Sequence, residues 1–372
     1  MPPRCPVPSR PPMAGACPPE RSVPMGMLAD EVDHVIGVDT HRDSITAAVT
    51  DPTGAVVAEA TLATDAFGYR RMLTFARKEA PGRRAWAIEG TGCFGAGFCT
   101  FLLEKGERVV EIDRPARPKG RTGAKSDELD AARAAREALS RTHLAQPRRR
   151  GDREALRVLL ATRHSAVVGR TKAICLLKAL LISAPESLRK HFRNMRTDEQ
   201  LICCSRFRMR AMVSEEHRCT AVALRAAARR ALALEAEARD LETDIQRIVS
   251  HMAPRLLAEP GVGPISAAQI LCSWSHPGRL RSEAAFAALA GVAPIPASSG
   301  QTVRYRLNRG GDRQLNRALH TVVLTRLAHH EETRAYAAKR AAEGKTSREI
   351  RRCLTRHVAR RLFKLLESSV AA

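Results

Sequence analysis

From residue 34 onward the chain alternates short apolar runs with turn signals. His34-Val35-Ile36-Gly37-Val38-Asp39 is an apolar run that ends on an acid, residues 44–50 (SITAAVT) are rich in β-formers, and 55–63 form a third such run. Asp51-Pro52-Thr53-Gly54 separates the last two and predicts a hairpin turn. The spacing then predicts a helix over 67–79, a strand over 84–89, a helix over 94–105 and a strand over 108–112. Three strands followed by alternating helix and strand predict an α/β domain, a mixed sheet with helices packed on it, over residues 31–145.

Beyond it the period changes to that of helices. Leu224, Ala227, Ala231, Leu234, Ala238, Leu241, Ile245, Ile248 and Met252 are spaced alternately by three and four, which is a heptad seam. Such a seam packs on its own domain, on the helical stretch 153–183, or on a second subunit. Residues 146–252 are therefore read as a helical, coiled-coil linker and dimerisation region, broken near 185–217 by loop and short helices. A mostly α-helical domain over 253–345 contains Pro260-Gly261-Val262-Gly263-Pro264 near its start. A basic helical tail, 346–372, puts Arg351, Arg352, Arg356, Arg360 and Arg361 opposite Ile350, Leu354, Val358, Leu362 and Leu365. Residues 1–30 are Pro-rich without the apolar core of a signal peptide and read as a disordered tail; Met25 or Met27 would serve equally as a start.

Charge narrows the partners. The formal net charge is +23, from 62 Lys plus Arg against 39 Asp plus Glu, so a polyanion such as DNA is expected. A membrane surface fits less well, because no run of apolar residues is long enough to span a bilayer and the basic residues are spread along the chain. Aromatic residues are only 4% of the chain, so phosphate contact rather than base stacking should dominate binding. The ten cysteines form no Cys-x-x-Cys pair and read as free thiols in a reducing cytoplasm.

Four acids carry the candidate chemistry. Asp39 and Glu89 end predicted strands, while Asp127 and Asp130 open a predicted helix behind Ser126, a residue suited to cap it. Their i, i+3 spacing puts the last two on one helical face. Phosphodiester cleavage is assisted by divalent ions that stabilise the attacking and leaving oxygens, and Mg2+ (or Mn2+) takes oxygen ligands. His41 shares a strand face with Asp39 and reads as a hydrogen-bonded bystander. Near the other end, Ser298-Ser299-Gly300 by itself reads as a polar turn. Arg304, Arg306, Arg309, Arg313 and Arg317 cluster after it, and guanidinium forks match phosphate oxygens. Gly310-Gly311-Asp312 opens a helix whose free amides are expected to be able to hold a phosphate.

These residues carry a resemblance. Ile36-Gly37-Val38-Asp39-Thr40, Ala87-Ile88-Glu89-Gly90-Thr91-Gly92 and Lys125-Ser126-Asp127-Glu128-Leu129-Asp130-Ala131 resemble the three acidic motifs of the insertion-sequence 110 family of transposases. The 260–264 stretch resembles the glycine hairpin of that family's C-terminal domain, and 286–300 with 308–319 resemble its catalytic segment. The resemblance spans about residues 33 to 345 and implies a RuvC-like, RNase H-like N-terminal domain with a four-acid site for Mg2+ or Mn2+. It implies a serine nucleophile directly before the glycine, Ser299, with Ser298 as the second choice, and strand exchange through a phosphoserine. It further implies a structured non-coding (bridge) guide RNA and a homo-oligomer, dimer or tetramer, in which the acids of one subunit meet the serine of another, with the 224–252 region as the dimerisation device. A cytoplasmic, nucleoid-associated setting in a bacterium is also what the resemblance implies. A junction-resolving nuclease using the acids alone, or an inactive DNA-binding relative, are the alternatives. For the 260–264 stretch, a helix connection and a backbone contact to DNA stand level.

Overall fold

The computed structural model describes residues 27–112, 126–207, 214–298, 305–306, 308 and 310–368, so most of the Pro-rich tail lies outside the described residues. The chain forms two compact units, one ending at Pro147 and the other starting at Arg148.

The first unit is built on strands β1 (His34–Thr40), β2 (Ser44–Thr50), β3 (Val56–Ala63), β4 (Arg84–Glu89) and β5 (Arg108–Ile112). They lie in the order β3-β2-β1-β4-β5, with β2 antiparallel to β1 and to β3, and with β1, β4 and β5 parallel. Among the described residues its helices are α1 (Leu28–Glu31), α2 (Ala66–Glu79), α3 (Ala96–Glu104) and α4 (Asp127–Ser140). Side chains alternate across a strand, and the core divides accordingly. Ile36, Val38, Trp86 and Ile88 pack with Met72, Phe98 and Leu102 of α2 and α3. Val35, Ala85 and Ala87 pack with Ala135, Ala138 and Leu139 of α4. This is the mixed sheet with packed helices that the strand pattern predicts, here with helices on both faces, and it agrees with the RNase H-like domain that the resemblance implies.

The second unit is helical, as expected. It contains α5 (Asp152–Ser183), α6 (Glu186–Phe192), α7 (Thr197–Ser205) and α8 (Glu215–Met252), then α9 (Pro254–Leu257), α10 (Pro264–Trp274) and α11 (Glu283–Leu289). A two-stranded ribbon of β6 (Ile295–Pro296) and β7 (Tyr305–Arg306) precedes α12 (Arg313–His329), α13 (Glu331–Ala342) and α14 (Ser347–Ser368). The seam of α8 is covered by α5 of the same chain. Leu224, Ala227 and Ala231 pack with Ala173, Leu177 and Leu181, and Ile245 and Val249 pack near Leu156. Arg163 pairs with Glu242 and Arg170 with Glu235, so the two helices run antiparallel. Residues of α10, α12 and α14 share one core with the start of α5 and the end of α8. No helix among the described residues is long and apolar enough to cross a membrane.

Candidate functional site

Parity on the sheet decides where the acids point. Asp39 follows Val35 and Gly37 on the α4 side of β1, and Glu89 follows Ala85 and Ala87 on the same side of β4. The parallel register pairs Val38 with Ile88, which sets Asp39 and Glu89 at neighbouring strand ends. Gly37 then governs how near α4 can come. A Cβ there would stand 1.9 Å from the Ala131 carbonyl oxygen and 2.6 Å from the Ala135 amide nitrogen, so only glycine admits the helix backbone onto the strand. The helix starts where the sequence predicts, with the Ser126 hydroxyl accepting from the Leu129 amide at 3.4 Å.

That approach brings Asp127 to Asp39. Ligand atoms of Asp39, His41 and Asp127 lie within 4.8 Å of one another. His41 Nε2 is 3.2 Å from Asp39 Oδ2 and 3.3 Å from Asp127 Oδ1. Burial pushes the Asp39 carboxyl above its usual range; His41 opposes the shift, and the charges of Asp127 and Asp130 add to it. The Asp130 carboxylate accepts a hydrogen bond of 2.6 Å from Arg133 one turn along. Oxygen donors from a strand end and a distant helix start, held close enough to disfavour joint ionisation, fit a hard divalent cation whose charge removes that penalty. His41, read from the sequence as a bystander, stands inside this group; the i, i+2 spacing to Asp39 was its signal.

The serine and arginine side lies in the second unit. Ser299, Arg304 and Arg309 lie outside the described residues, while Ser298, Arg306, Arg313 and Arg317 are not buried. The start of α12 corrects one expectation: its amides are not free for a phosphate. Asp312 Oδ1 accepts from Gln314 and Leu315 at 2.9 and 3.0 Å, and its Oδ2 accepts from the Ser273 hydroxyl at 2.6 Å. A carboxylate already occupies the place an anion would take. The 260–264 stretch is built as a helix connection. Gly261 has φ +77°, an added Cβ would lie 2.8 Å from the Val322 carbonyl oxygen, and Arg326 donates to the Pro260 carbonyl oxygen at 2.7 Å.

A cavity of about 510 Å³ opens beside the ribbon. Val292, Pro294 and Tyr305 form part of its wall, with Arg306, Arg348, Arg351 and Arg352 on its rim. Among the described residues, no carboxylate pairs with Arg306, Arg348 or Arg352, whereas Arg356 beside them is bound to Glu283. The arginines of α14 were seen in the sequence only as a basic face. Their i, i+3, i+4 spacing at 348, 351 and 352 marks them as one row.

The family of transposases described as IS116/IS110/IS902 matches residues 253–338, and the DEDD transposase model of the IS110 elements matches residues 36–184. Together the two matches span more than half of the chain, in the order the motifs predict. The chain belongs to the IS110 family of transposases. An uncharacterised 43.6 kDa protein of insertion element IS110 from Streptomyces coelicolor is 31% identical over 137 residues. That stretch is 36% of this chain and covers 34% of the relative's length. In keeping with the DEDD name, this IS110 family chain carries Asp39 and Glu89 at neighbouring strand ends and an aspartate pair on α4, and of these Asp39 and Asp127, together with His41, come close enough to suit a divalent metal.

Proposed function

We propose that this chain is the transposase of an insertion sequence, a recombinase that cuts and rejoins DNA strands. Asp39, Glu89, Asp127 and Asp130 hold Mg2+ or Mn2+, and Ser299 is the nucleophile. The observation that carries the reading is the pairing of Asp39 with Asp127: two carboxylates from separate elements converge, and burial with like charge lifts the first above its usual range. Such convergence destabilises a fold unless it serves a cation. The bound cation supplies the positive charge that stabilises attacking and leaving oxygens.

The rest falls to the chain's own groups. The Ser299 hydroxyl attacks phosphorus and displaces a deoxyribose oxygen, which takes the proton, leaving a phosphoserine ester. A second deoxyribose hydroxyl then reverses the exchange on a new strand. The count of phosphoester bonds never changes, so rejoining needs no nucleotide cofactor. Arg304, Arg306, Arg309, Arg313 and Arg317 hold phosphate oxygens beside the serine. The surplus positive charge supports a second polyanion, a non-coding guide RNA that pairs with target and donor DNA. A dimer or tetramer assembles through the 224–252 region, on the outer face of α8 since its seam is covered by α5. The enzyme acts in the bacterial cytoplasm, at the nucleoid.

Asp39→Asn and Ser299→Ala, assayed for strand transfer and for DNA binding, test this. Each should lower strand transfer by about a thousandfold or more and leave DNA binding within about threefold. Denaturant should trap a protein–DNA adduct with the native chain and none with Ser299→Ala. If Ser299→Ala cuts at the native rate, the acids act alone and the chain is a junction-resolving nuclease; Ser298→Ala separates the two serines.

A further inference from the structure

His41 is too well placed for a bystander. His41 stands one residue beyond the end of β1, and its ring reaches both Asp39 and Asp127 at the start of α4. Nε2 of His41 lies 3.2 Å from an Asp39 oxygen and 3.3 Å from an Asp127 oxygen. The atom is shut off from solvent, yet it makes no hydrogen bond in that setting. A protonated imidazole serving as a counter-charge should donate along its N–H axis to one of the carboxylates. Here neither oxygen meets the combined distance and angle of a hydrogen bond. A ring nitrogen directed into the space shared by two carboxylates is what a metal ligand presents.

We propose that His41 Nε2 is a protein ligand of the divalent cation, beside Asp39 and Asp127, and that it biases the site toward Mn2+ over Mg2+. The proposal rests on the metal-dependent reading of the acidic cluster. Its consequence concerns ion choice. Mg2+ is held by oxygen donors and gives up its waters reluctantly. Imidazole suits the first-row transition ions, whose affinities rise along the series from Mn2+. A mixed oxygen and nitrogen set at residues 39, 41 and 127 therefore discriminates between the two ions that the acids alone would accept. A histidine acting only as a counter-charge gives the opposite expectation: it competes with the cation, and its removal tightens binding.

The test uses the full-length chain and Mn2+ alone, with Mg2+ as competitor. Pulsed electron paramagnetic resonance of bound Mn2+ should show coupling to a nitrogen-14 nucleus in the native chain and none in His41→Gln. Free-ion titration should show His41→Gln losing about tenfold or more in Mn2+ affinity and less than about threefold in Mg2+ affinity. Native chain that binds Mn2+ without nitrogen coupling, or His41→Gln that keeps the coupling or binds Mn2+ as tightly, overturns the assignment. The native-chain spectrum decides even if the variant folds poorly. Asp39→Asn separates the two levels of the argument. If it abolishes Mn2+ binding while the native site shows no nitrogen, His41 is not a ligand and the metal site stands. If the native chain shows no saturable binding that Asp39→Asn removes, both readings fall.

Discussion

The acidic side and the arginine side of this IS110 family chain are built by different means. Asp39, Glu89 and Asp127 sit on two strand ends and a helix start, joined by a backbone contact too tight for any residue but Gly37. Arg306, Arg313, Arg317 and Arg352 stand on open faces of a two-residue strand and two helices. The first arrangement has the rigidity that cation ligands require, since they must be placed to within about half an ångström. The second can be loose, because a long guanidinium side chain adjusts to a phosphate and carries no sequence information. Rigidity should make the acidic side fail all at once, and looseness should make the arginine side fail by degrees.

Gly37→Val attacks the rigid side and has the largest expected effect on stability. The new side chain must displace the α4 backbone at Ala131 and Ala135. The first unit should lose about 3 kcal/mol or more, read as a lower denaturant midpoint at unchanged slope. Divalent-ion binding should be lost with it, since Asp127 moves with α4. A variant that retains native ion affinity would show that the site does not depend on this contact.

Strand ends were legible in the sequence because a period of two shows which residues share a face. The same rule puts Asp39 and Glu89 at strand ends from residue order alone. Gly37 was visible only as a glycine in a strand; nothing in the chain said that the Ala131 carbonyl would fill its place. The 224–252 seam was legible as a face, but periodicity does not say what covers it, and α5 of the same chain does. Asp312 misled for a similar reason: the sequence marks a helix start, while its two-amide cap is a matter of rotamer. For His41 the sequence shows the i, i+2 spacing to Asp39, while the burial of its ring nitrogen leaves no trace in residue order.

The two sides should also answer acid in opposite directions. Burial raises the Asp39 carboxyl, so its contribution to stability is present at low pH and lost as pH rises through its folded value. His276, at the end of α10, is pushed down to about 4 by burial, helped by the charges of Arg149 and Arg279. Its neutral form contributes stability above the ordinary histidine range, and that contribution is lost as pH falls from about 6.5 toward 4. The loss at pH 4 is about 3 kcal/mol for the second unit. Hydrogen exchange of the native chain between those limits should show protection falling in α10 while the residues around Asp39 hold or gain. His276→Gln should flatten the fall; an equal fall in the variant would trace the acid response to another group.

The gentlest test reaches the loose side. Arg348 and Arg352 line the cavity beside the ribbon, and among the described residues neither forms a salt bridge, Arg352 acting on Glu349 through its charge alone. Arg326, by contrast, is buried against Glu259 and the Pro260 carbonyl. If exposed arginines serve phosphate and buried ones serve the fold, the two kinds separate in one salt titration. Arg348→Gln and Arg352→Gln should each reduce the slope of log affinity against log salt by about 1, weaken binding similarly on any DNA sequence, and leave the unfolding midpoint unchanged. Arg326→Gln should lower the midpoint, because it leaves Glu259 with a single guanidinium partner, Arg361, and the Pro260 carbonyl without a donor. A midpoint shift in the first pair with an unchanged salt slope would mean that the α14 row holds the fold together, and the contrast between a rigid acidic side and a loose basic one would no longer describe this protein.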